Sequence, residues 1–100
     1  MFLSDKLIIN GYKRGIFPMA ESADDPYIFW VSPEKRGVIF TKEFYLTKSL
    51  KKIIKKNEFT IKVNHNFKTV ILCCSQKNEK RPNSWINHQI IDNYIKLFEK

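Results

Sequence analysis

Hydrophobic and polar positions alternate along this chain in two distinguishable rhythms. From Ser4 to Arg14, apolar Leu7, Ile8 and Tyr12 recur at helical spacing, Ser4 is a suitable N-cap, Lys13 and Arg14 fill the last turn, and Gly15 is a stop signal. Ile16 to Pro26 has no period and carries Pro, Ser and acidic residues, so it predicts a loop whose apolar start tucks inward. Tyr27–Val31 and Val38–Phe40 are aromatic and β-branched, and the Ser32–Gly37 stretch between them is rich in turn residues; together they predict a hairpin.

Thr47 is positioned to cap a helix that runs to about Asn57. Phe59, Ile61 and Val63 then alternate with Thr60, Lys62 and Asn64, the period of a half-buried strand. Phe67, Val70, Ile71 and Cys74 return to the helical spacing, and the polar, basic Ser75–Asn83 segment reads as a loop. Ser84 is expected to cap a final helix from Trp85 to about Glu99, with a broad apolar stripe of Ile86, Ile90, Ile91, Tyr94, Leu97 and Phe98. That stripe is still running at Lys100, which leads to the expectation of a truncated chain. The order of elements predicts an α+β fold with too few strands to close a sheet.

At 100 residues, the chain has length enough for one small domain. Its 43% hydrophobic content excludes simple disorder, and three Gly and four Pro exclude collagen-like repeats. No apolar run approaches the ~20 residues of a membrane span. Asp5 and Lys6 interrupt the N-terminus where a secretory signal would stay apolar, so a cytoplasmic location is expected. Cys73 and Cys74 are adjacent and read as two reduced core thiols. With no His or Cys at ligand spacing, no metal is expected.

The net charge of +8 directs attention to polyanionic partners. Lys48, Lys51, Lys52, Lys55 and Lys56 occupy an arc of roughly 140° on the helix after Thr47, with Leu46, Leu50, Ile53 and Ile54 opposite. No acidic residue relieves their repulsion, whereas a phosphate backbone would, with counterion release adding to affinity. A merely solvated face, a nucleic-acid contact and a membrane-surface contact all remain open for it. Lys77, Lys80 and Arg81 form a second basic cluster ahead of Trp85, a combination that suits a nucleotide through stacking and phosphate contacts. On a helical wheel Trp85 points away from the Ile90, Tyr94 and Leu97 stripe, which leaves ligand contact and domain packing equally open. Tyr94, at the centre of that stripe, reads first as a core tyrosine with a bonded hydroxyl. His65 and His88 have no triad partners, and Glu34, Glu43 and Glu58 are not paired for acid–base work.

Six segments, in order, resemble the leucyl/phenylalanyl-tRNA protein transferases. They are Tyr12–Glu21, Asp25–Glu34, Arg36–Phe40, Tyr45–Leu50, Phe59–Cys74, and Ser84–Asn87 with Tyr94 at the matching distance. This resemblance implies transfer of Leu or Phe from aminoacyl-tRNA to proteins beginning with Lys or Arg, an N-end rule step that marks them for degradation, without cofactor or metal. It implies a small N-terminal α/β domain over residues 1–57, followed over 58–100 by the start of an acetyltransferase-like (GNAT-like) domain. Trp85 and Tyr94 match positions that hold the tRNA's terminal adenosine and aminoacyl group. Lys55 and Lys56 match basic positions that hold the acceptor stem, and Lys48, Lys51 and Lys52 on the same helix are expected to contact its phosphates as well. Met19 stands where many members have Trp, and it is expected to join Trp85 and Tyr94 in binding the aminoacyl-tRNA 3′ end, its thioether packing on a ring. The family's catalytic residues are expected beyond Lys100, so none is assigned here and the isolated chain is expected to be inactive. A monomer with no membrane partner is expected. The competing reading is a small basic RNA-binding module without catalytic activity.

Overall fold

In the computed structural model, which describes residues 2–100, the serine at position 4 does cap the first helix: its Oγ accepts from the Leu7 N–H at 3.2 Å. Helix α1 spans Asp5–Lys13. Gly15 follows it at φ 77°, a left-handed conformation that glycine adopts without the clash a Cβ would bring. Strands β1 (Phe17–Met19) and β2 (Phe29–Val31) pair antiparallel, with Phe17 opposite Val31, Pro18 opposite Trp30 and Met19 opposite Phe29. A two-stranded ribbon has two free edges, which is why Pro18, lacking an N–H, is accommodated while its side chain is buried. Helices α2 (Lys48–Lys55), α3 (Phe67–Ser75) and α4 (His88–Glu99) follow, with a short 3-10 turn at Thr41–Glu43. The fold is mixed α+β.

The chain divides into two compact units: residues up to Pro33 together with Asn66–Lys100, and Glu34–His65. In the first unit Leu3, Ile8, Ile71, Ile86 and Ile90 form the core, with Ile28, Trp30, Phe67, Ile91 and Tyr94 packed against it. Gly11 is needed where α1 meets the sheet, because a Cβ there would lie 2.6 Å from Trp30 Cζ3. Phe67 stacks on Phe98, centroids 5.2 Å apart, and so joins α3 to α4. Asp5 pairs with Lys100. That hydrogen bond holds the Asp5 carboxyl below its ordinary value, so its contribution to stability is present above the unfolded carboxylate range and is lost as pH falls through the depressed folded value.

The first unit departs from the sequence reading in three ways. β2 pairs with the Phe17–Met19 segment instead of with Val38–Phe40, so the Ile16–Ala20 stretch that read as loop supplies a strand. The last helix begins at His88, because Asn87 is its cap, its Oδ1 accepting from the Ile90 N–H at 3.0 Å. Ser84 Oγ serves a tighter local turn, accepting from the Ile86 N–H. Cys73 and Cys74 are free and exposed, not core thiols, since Ile71 is the residue of α3 that turns inward.

In the second unit Thr47 Oγ1 accepts from the Leu50 N–H at 3.2 Å and starts α2 as expected. Lys56 is its C-cap, and Asn57 leaves it at φ 53°. The alternating Phe59, Ile61 and Val63 form no strand: no partner strand pairs with them, and they are 76%, 90% and 83% exposed. No residue of α2 is buried, Leu50, Ile53 and Ile54 included. Residues 34–65 hold half of the chain's eighteen basic residues but only three of its ten acidic ones.

Candidate functional site

The segment ahead of α4 is tied down backbone group by backbone group. The Ala20 N–H donates to the Trp85 carbonyl at 2.9 Å, Asn83 Nδ2 to the Glu21 carbonyl at 3.1 Å, Asn87 Nδ2 to the Asp25 carbonyl at 2.9 Å and Gln89 Nε2 to the Pro26 carbonyl at 2.8 Å. Loop 20–26 and segment 83–89 therefore hold each other. Trp85 leaves this segment before the helix begins, so the helical-wheel expectation that it points away from Tyr94 does not apply. Its indole is 41% exposed and meets Phe17 of β1 edge to face, centroids 6.2 Å apart.

Trp85 and Tyr94 both line an open cleft of about 550 Å3, together with apolar Phe67, Val70, Ile71 and Cys74 and polar Glu21, Arg81 and Asn83. The lining is mainly aromatic and aliphatic, with one acidic and one basic residue among it. A stacked ring with an apolar appendage suits this composition better than a free ion does. Met19 lies on β1 across from Phe29, half-buried, and is not part of the cleft lining.

Tyr94 is half-buried and its hydroxyl lies 2.6 Å from that of Tyr12, with the two rings edge to face at 6.4 Å. Burial first, and this hydrogen bond second, push the Tyr94 phenol above its ordinary value. The core tyrosine with a bonded hydroxyl and the cleft residue are thus the same side chain. In the sequence Tyr12 is an apolar position of α1 and the start of a matching segment, but no local spacing connects residues 82 apart.

The basic loop before Trp85 is largely committed to structure. Arg81 donates to the Cys73 and Gln76 carbonyls, closing the C-terminus of α3, and Lys77 pairs with Asp24. Lys48, Lys51, Lys52, Lys55 and Lys56 are all exposed in the second unit, and no ion pair among the described residues engages them. His65 and His88 are exposed. Among the described residues no group of His, Cys, Asp and Glu is arranged to hold a metal ion, and no helix is long and apolar enough to cross a membrane.

Two family profiles cover nearly the whole chain. Residues 38–100 match the one described as leucyl/phenylalanyl-tRNA protein transferase, and residues 3–34 match the N-terminal domain of the same enzyme. No solved structure matches the chain.

Proposed function

The chain belongs to the leucyl/phenylalanyl-tRNA protein transferase family, and from that premise we propose that its Trp85–Tyr94 cleft receives the aminoacylated 3′ end of a donor tRNA. The observation that carries the reading is the pairing of a half-exposed indole with a tethered phenol in one apolar cleft. The terminal adenosine stacks on Trp85, and the leucyl or phenylalanyl side chain lies along the aliphatic wall. Lys48, Lys51, Lys52, Lys55 and Lys56 bind acceptor-stem phosphates without reading sequence, which lets one protein accept more than one tRNA. Met19 acts behind the cleft through the β1 strand that positions Phe17 against Trp85. In the full reaction the acyl group moves to the α-amino group of a protein beginning with Lys or Arg; no catalytic role is assigned to a residue of this chain, and the chain alone is proposed to bind donor without transferring it.

Titration with Leu-tRNA and Phe-tRNA tests this directly. Trp85→Ala is expected to weaken binding about five- to 150-fold, the equivalent of losing ~1–3 kcal/mol of base stacking, while Trp85→Phe retains most of the affinity. Deacylated tRNA should bind more weakly than the charged form. Unchanged affinity in Trp85→Ala rejects the adenosine site.

The exposed, unpaired lysines also favour a second reading, a basic RNA-binding module that uses α2 alone. Replacing Lys51, Lys52 and Lys55 together by Gln is expected to lower the slope of log Kd against log salt by about 2–3, at ~0.7–0.9 per phosphate contact. Trp85→Ala should leave that slope intact. If the lysine variant loses binding, Trp85→Ala does not, and charged and uncharged tRNA bind alike, the module reading replaces the transferase site.

A further inference from the structure

Tyr94 is a cleft residue whose polar group is engaged outside the cleft. Phe67 and Trp85 of the lining make ring contacts with Phe98 and Phe17, whereas the Tyr94 hydroxyl is hydrogen-bonded at 2.6 Å to Tyr12, which is not part of the lining. The two residues come from α1 and α4, elements that also meet through the core and through the Asp5–Lys100 pair. The tether therefore fixes Tyr94 relative to a scaffold, and a wall residue with one fixed rotamer presents a defined surface to whatever lies against it.

We infer that Tyr12 is a positioning residue for the donor: through its hydroxyl it holds Tyr94 in the rotamer that lets the cleft tell an aminoacyl-adenosine from adenosine alone. The inference rests on the cleft being the seat of the donor's 3′ end. Tyr12 is itself more than half exposed, so its own ring adds little to the core, and the short hydrogen bond is its specific contribution. Either hydroxyl can donate to the other. In both arrangements Tyr94 keeps hydrogen-bonding capacity on the same oxygen, and losing Tyr12 frees the ring to turn about its Cα–Cβ bond.

The experiment uses a non-hydrolysable leucyl-adenosine amide and plain adenosine as probes, titrated into the wild-type chain and into Tyr12→Phe, Tyr94→Phe, the double variant and Trp85→Ala. Tyr12→Phe is expected to weaken the amide roughly two- to tenfold, the range for one hydrogen bond, and to leave adenosine binding unchanged. In the Tyr94→Phe background the same substitution should cost nothing further, because the hydroxyl it acts through is gone. Side-chain couplings of Tyr94 measured by NMR without ligand should show one χ1 rotamer in the wild type and averaging in Tyr12→Phe. A purely structural Tyr12 would lower the melting temperature without changing the preference for the amide, or would cost as much in the Tyr94→Phe background; either result overturns the inference. If Trp85→Ala weakens both probes but Tyr12→Phe changes neither, the donor site stands and the positioning role falls. If the wild type binds neither probe, the donor site fails and the positioning role fails with it.

Discussion

Ile90→Ala is expected to remove about 2–5 kcal/mol of folding free energy, the range seen when a fully buried aliphatic side chain is truncated and its cavity does not collapse. For a domain of this size that lowers the melting temperature by roughly 4–8 °C per kcal/mol. Ile90 is 1% exposed and belongs to the single cluster that joins Leu3, Ile8, Ile71 and Ile86, so its loss opens a gap where α1, α3 and the start of α4 converge. Native proteins hold only about 5–15 kcal/mol in total. Much apolar surface remains exposed in this chain, including Phe2, Tyr27 and Val70, so little reserve is available to absorb the change. Ile90→Val should cost only about 0.5–1.5 kcal/mol. Thermal melts followed by circular dichroism decide the matter: nearly identical midpoints for Ile90→Ala and the wild type would mean that this cluster does not hold the first unit together.

The elements legible in the sequence are those fixed by groups three or four residues apart. Ser4 and Thr47 cap their helices as their spacing predicts, and α3 follows from Phe67, Val70, Ile71 and Cys74. What was not legible depends on choices between equivalent local signals or on distant partners. Ser84 and Asn87 are both good caps three residues apart; the contact of Asn87 with Asp25, 62 positions away, distinguishes them. β2 pairs with the segment containing Pro18, whose buried ring lies opposite Trp30, a partner that no local pattern in Ile16–Ala20 announces. Phe59, Ile61 and Val63 show that alternation without a partner strand does not make a strand.

The candidate site divides along the same line. Trp85 and Tyr94 drew attention as aromatic residues in a matching segment, yet their sharing one cleft follows from α4 starting three residues later than the pattern suggested. Arg81 read as a ligand for phosphate and instead closes α3, a use of charge that only the bend of the 76–81 loop reveals. The lysines of α2 needed no tertiary information, since a helix face exposed on all sides keeps the arrangement its sequence dictates.

Asn87→Ala is the second substitution with a large expected effect, because one buried amide performs two tasks. Its Oδ1 caps α4 by accepting from the Ile90 N–H, and its Nδ2 donates to the Asp25 carbonyl. Losing the cap costs ~0.5–2 kcal/mol. An unsatisfied carbonyl in a site where Asn87 is 1% exposed adds ~1–3 kcal/mol. The two losses separate experimentally. Asn87→Ser keeps a capping oxygen but cannot reach Asp25, so it should recover roughly the first part. Asn87→Asp also keeps the cap and adds favourable charge at a helix N-terminus, but turns a carboxylate toward the Asp25 carbonyl oxygen and should lose the second part in full. The order of stability expected is wild type above Asn87→Ser and Asn87→Asp, with Asn87→Ala lowest. Amide exchange adds a local readout. The Ile90 N–H should lose protection in the Ala variant and keep much of it in the Ser and Asp variants, whereas the Ala20 N–H, bonded to the Trp85 carbonyl, should lose protection in all three as loop 20–26 loosens. If Ala20 stays protected while Ile90 does not, the loop is held to the Trp85 segment without Asn87, and the cap alone accounts for the burial of this side chain.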